Sequence, residues 1–172
     1  MLVSIRAMIR LAAVLISAGI LATGCGAEEA DTPAAPSWDP CTVSDQLITE
    51  AGFAAGSKRK DVAAGAGESW TGCGWSSADT AVRILFAEDT ALSRLRDEPG
   101  ITEPTDTTVA ERPALRFHSS GGDPATSCSL ALGTADGGVV RIRVDRSATP
   151  GGGSTCTRVE RITTILAPAL PG

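Results

Sequence analysis

The sequence predicts an α+β domain: a single antiparallel β-sheet of about five strands, packed with an N-terminal and a C-terminal helix and stapled by two disulfides. Three observations carry this. Short runs alternate apolar with polar residues, most clearly Val140, Ile142 and Val144 against Arg141, Arg143 and Asp145, as in an antiparallel sheet wet on one face. Apolar residues recur at helical spacing at the two ends of that region, in Val43-Leu47-Ala51 and Val159-Ile162-Leu166. Cysteines stand near the starts of both end helices (Cys41, Cys156) and inside strand-like runs (Cys73, Cys128), so each bridge would pin a helix to the sheet.

The elements follow in order. Asp39 suits a helix cap and Pro40 the first helical position. Gly52 stops that helix and Phe53 turns back to the core. Residues 56–67 read as a loop whose Lys58-Arg59-Lys60 tip is solvated charge; the phosphate-loop pattern is absent. Trp70 to Trp75 opens the sheet, with Cys73 and Trp75 on one face. Asp79 marks a turn, and Val82, Ile84 and Phe86 alternate as the next strand. Thr90 can cap a short helix holding Leu92 and Leu95, which Pro99-Gly100 ends. Residues 102–113 are polar, contain Pro104 and read as a connecting loop. Leu115 and Phe117 alternate with Arg116 and His118, and Cys128, Leu130 and Leu132 form the following strand. Asp136-Gly137-Gly138 is a hairpin turn. After Gly151-Gly152-Gly153, Ser154 or Thr155 caps the last helix, which runs up to Pro168.

The N-terminus carries an address. Arg6 and Arg10 precede an apolar run from Leu11 to Ala22, and Leu21-Ala22-Thr23-Gly24-Cys25 closes it. A basic n-region, a short apolar h-region and small residues at a cleavage site make a secretory signal. Ending on cysteine gives it the form of a lipobox, although Ala22 stands where such signals usually carry Leu. A spanning helix needs about 20 apolar residues and this run is shorter. The expected organisation is a signal peptide over 1–24, a Pro/Ala-rich tether over 25–38 that starts at the lipidated Cys25, and an extracytoplasmic domain over 39–172. Acyl chains such as palmitate anchor at about 0.8 kcal/mol per buried CH₂, and two or more make a stable attachment. The expected location is the cell membrane, on its extracytoplasmic face.

The five cysteines are an odd number for an exported chain. With Cys25 lipidated, Cys41, Cys73, Cys128 and Cys156 remain for two disulfides. Four cysteines allow three pairings and spacing does not choose among them; the sequential one, Cys41 with Cys73 and Cys128 with Cys156, is preferred. Each would close a loop of about thirty residues and stabilise by roughly 2–4 kcal/mol. No C-x-x-C pair exists, so neither a zinc site nor a redox motif is expected.

The cysteine-centred pattern resembles the DUF3558 family of actinobacterial lipoproteins. Asp39-Pro40-Cys41 follows a Pro-rich tether, Cys73-Gly74-Trp75 follows it, Cys128 falls in a late strand and Cys156 opens the last helix. The resemblance implies a lipid-anchored envelope location, disulfide bonding and an antiparallel α+β fold. It implies no activity and no catalytic residue.

Composition narrows function further. Losing Arg6 and Arg10 with the leader takes the net charge from −5 to −7, which disfavours nucleic acid and gives no help at an anionic membrane surface. His118 is the only histidine. It neighbours Ser119, Ser120 and Asp123, yet adjacent strand residues point to opposite faces and no G-x-S-x-G elbow exists. His118 therefore reads as a surface residue on the wet side of the sheet. Trp70, Trp75 and Phe86 are candidate ligand-lining residues, with core and disulfide packing as the plainer explanation. No catalytic residue, metal site or cofactor is expected. The favoured function is a non-enzymatic envelope domain that binds a ligand or protein partner while held to the membrane by lipid. An extracytoplasmic hydrolase or transferase with an unrecognised site, and a sensory or assembly accessory of a membrane complex, stay open beside it.

Overall fold

Seven strands form one antiparallel sheet: β1 Ala54–Lys60, β2 Thr71–Ser76, β3 Thr80–Ala87, β4 Ile101–Val109, β5 Arg112–Ser119, β6 Ser127–Gly133 and β7 Val139–Arg146. The structure is a computed structural model that describes residues 37–62, 69–147 and 153–172. The expected signal, Cys25 and the expected tether up to residue 36 lie outside the described residues. Strand order is β1-β2-β3-β7-β6-β5-β4. Two meanders, one of three strands and one of four, thus meet edge to edge where β3 pairs with β7. Helix α1 spans Asp45–Glu50, α2 Leu92–Leu95 and α3 Thr155–Leu166.

The expected class holds, while the strand count of about five is corrected to seven. Both missed strands are sheet edges. β1 overlaps the stretch expected as a loop, and β4 overlaps the polar segment expected to connect. Lys58 on β1 is no free tip: its Nζ reaches Asp45 at 3.5 Å and stands 5.9 Å from the centre of the Trp75 ring. Charged edge strands discourage pairing with a second sheet.

The disulfides join Cys41 to Cys73 and Cys128 to Cys156, each with Cα atoms 5.1 Å apart. The first ties the 3-10 turn Pro40–Thr42, just ahead of α1, to β2; the second ties the start of α3 to β6. Asp39 caps the 3-10 turn by accepting the Cys41 N–H at 2.8 Å, and Ser44 caps α1. Ser154 caps α3, whose Val159, Ile162 and Leu166 are buried against the sheet. The Thr90 cap does not form; Ala91 holds that position and no side chain bonds to the helix.

Both sheet faces carry an apolar core, the second over part of its area, which overturns the expectation of one wet face. The first face carries Trp75, Ile84, Leu130 and Ile142 beneath α1 and α3. The second carries Leu85, Leu115, Phe117, Ala131 and Val139 in a smaller core with Trp70 and, from α2, Leu95. Among the described residues, no helix is long and apolar enough to cross a membrane.

Candidate functional site

Strand alternation sends Leu115 and Phe117 to the second face, so His118 falls on the first, under α3. The surface reading of His118 is therefore corrected: its side chain is 13% exposed. Nδ1 lies 2.8 Å from the Ser127 carbonyl oxygen. A carbonyl only accepts, so Nδ1 carries the hydrogen and donates it, leaving Nε2 bare in the neutral ring. Nε2 stands 3.6 Å from Cys156 Sγ. His118, Cys128 and Cys156 place their donor atoms within 4.8 Å of one another, with the two sulfurs joined as a disulfide. Their separations of 28 and 38 residues left no spacing signal for this grouping.

A cavity of about 230 Å³ opens at this point, bordered by Glu103, Thr105, Arg116, His118, Ser154 and Cys156. Glu103 enters it from an irregularity in the β4–β5 register between Thr102 and Thr105. Its backbone is left-handed, φ +52°, an unfavourable conformation for a residue with a Cβ. Bulges re-aim side chains, and Glu103 Oε2 comes to 3.9 Å from His118 Nε2. Arg116 is held by Glu160 of α3 at 3.0 Å.

The second face holds a different arrangement beyond its apolar end. Arg83 on β3 and Arg143 on β7 are direct cross-strand partners, and Arg141 is opposite Leu85. Asp145 binds Arg143 at 2.7 Å and Arg83 at 3.5 Å. Among the described residues, Arg141 has only neutral hydrogen-bond partners, Ser119 Oγ at 2.8 Å and Ser129 Oγ at 3.3 Å, and stacks 4.9 Å from the Phe117 ring centre. Its Nε is buried with no hydrogen-bond partner among the described residues. Burial, then the charge of Arg143, pushes the Arg141 guanidinium down to about 10, with Glu98 and Asp145 opposing. Ser119 Oγ also accepts from Arg143 at 3.1 Å. With both arginines donating to it, this hydroxyl is left with its own O–H to donate. Arg83 also borders a cleft of about 210 Å³ with Arg59, Val62 and Gly74.

Trp70, Trp75 and Phe86 do not come together. Trp70 packs in the second-face core, while Trp75 and Phe86 belong to the first. Trp75 borders the cleft beside Arg83 yet is 2% exposed. Phe86 meets Trp38 edge to face at 5.5 Å.

A family model described as "Protein of unknown function (DUF3558)" matches residues 20–169. The chain belongs to the DUF3558 family. That match takes in both disulfides and strands β3 and β7, which carry Arg83, Arg141 and Arg143. No curated protein and no solved structure matches the chain.

Proposed function

We propose that this DUF3558 protein is a lipoprotein of an actinobacterial cell envelope, anchored through Cys25, that binds an anionic ligand on its arginine-bearing sheet face without transforming it. The observation that carries the binding reading is Arg141. A half-buried guanidinium with neutral partners alone costs desolvation energy that an incoming anion repays with charge-assisted hydrogen bonds. Arg83 and Arg143 add charge beside it, and Asp145 is the one carboxylate among the described residues that pairs with either. A cationic patch on a chain of net charge −5 is a local feature and not a reflection of bulk composition. Location is supported by the leader and Cys25, together with the pairing of the other four cysteines, which suits an oxidising compartment.

Calorimetric titration of the mature protein with inorganic phosphate and with citrate tests the binding reading. Saturable binding is expected with at least one of them, weakened about tenfold or more in Arg141→Gln. Arg96→Gln, on an arginine that pairs elsewhere with Asp106, is expected to leave it unchanged. Absence of binding, or binding indifferent to Arg141, contradicts the reading.

A further inference from the structure

We propose that the Cys128–Cys156 disulfide is a thiol–disulfide exchange site, at which a half-buried, cavity-lining cysteine, an imidazole in a fixed tautomer and an open cavity admit an external dithiol. This does not depend on the anion site, which lies on the other face of the sheet.

The two sulfurs are unequal. Cys156 is half-buried and borders the cavity, whereas Cys128 is 1% exposed. An incoming thiol can reach Cys156 and not Cys128. Cys156 is also the second residue of α3, a helix of 12 residues, where the free N–H groups and the helix dipole stabilise a thiolate. Beside it, the bare Nε2 of His118 can take and return a proton, because the Ser127 carbonyl holds the ring's hydrogen on Nδ1. Glu103 Oε2, at 3.9 Å, stabilises the imidazolium that forms in between.

The chemistry balances without any further reactant. One thiol of the dithiol passes its proton to His118 Nε2 as its sulfur attacks Cys156 Sγ. The disulfide breaks, its electron pair leaves on Cys128 Sγ, and Nε2 returns the proton there. The second thiol of the same dithiol then attacks the mixed disulfide at the dithiol's own sulfur and expels Cys156, which takes the second proton. The dithiol is oxidised to a disulfide, and Cys128 and Cys156 are reduced to thiols. Cys41–Cys73 lacks the imidazole. Cys41 is half-buried and Cys73 fully buried, so that bridge has the same unequal sulfurs, but the chain's single histidine is placed at the other bridge.

The test uses the mature oxidised protein, dithiothreitol as the dithiol, quenching with N-ethylmaleimide and peptide mapping of the labelled cysteines. Cys128 and Cys156 are expected to label about tenfold or more ahead of Cys41 and Cys73. In His118→Gln their opening should slow by about tenfold or more, with Cys41–Cys73 unchanged. Glu103→Gln should slow it by a smaller factor. If His118 only packs, its loss loosens the domain and speeds both bridges. Equal opening of the two bridges, or a His118→Gln rate that rises or stays the same, overturns the proposal.

Discussion

Arg141 and Arg143 stand two residues apart on β7 and share Ser119 as a partner, yet they live under different electrostatics. Arg143 has Asp145; Arg141 has hydroxyls and a ring. The sequence placed both on the face opposite Val140 and Ile142, correctly, but could not show that this face is half covered. Periodicity reports which residues share a face and is silent about what packs over it. The same limit misplaced His118. The large apolar neighbours Leu115 and Phe117 suggest that theirs is the main core face, whereas they fill the smaller second core. Asp79 carries a prediction at this scale. Its carboxyl is held below the ordinary 3.8 chiefly by the Thr80 hydroxyl; desolvation opposes this by more than either Arg158 or Ser77 adds to it. A lowered folded value means that the stabilisation is present above the unfolded value and is lost as pH falls through and below it. Urea unfolding of wild type and Asp79→Asn should therefore differ at about pH 5 and converge toward about pH 3. A difference that is constant with pH would show that the carboxylate is not the cause.

The five central strands were legible because each buries a row of side chains and so alternates. β1 and β4 were not, because an edge strand makes ladder hydrogen bonds on one side only and need not be apolar. Ala54–Lys60 ends in three consecutive cations, and Ile101–Val109 carries Pro104 within its irregularity, where a missing N–H is tolerated. The β4–β5 hairpin hid for a second reason. Its two-residue loop is Ala110-Glu111, with φ of +50° and +62°, the left-handed pair that usually calls for Asn-Gly. The β6–β7 turn, with Gly137 at φ +87°, was readable by contrast. Replacing the unfavourable pair with the residues the turn prefers, A110N together with E111G, should raise unfolding stability by about 1 kcal/mol. Denaturant midpoints at unchanged slope would report it. A loss of stability would mean that the side chains now present make contacts worth more than the backbone strain.

At the scale of the whole molecule, the cysteines organise everything the sequence allowed. The two bridges close within separate parts of the sheet, one in each meander, and each fixes a helical segment over the first face. Their pairing follows the sequential order that spacing alone left open. Family membership adds the region over which this arrangement extends, residues 20–169, and no activity. What would unite the proposed envelope location with the observed fold is a division of the five cysteines, four paired in the two disulfides and Cys25 proposed to carry lipid. Intact-mass analysis of the protein extracted from membranes tests that division most directly. The account expects a chain beginning at Cys25, heavier by a diacylglyceryl group and further acylation, and four hydrogens lighter for its two disulfides. A species that keeps residues 1–24 without lipid, or that carries free thiols at Cys41, Cys73, Cys128 and Cys156, would contradict it.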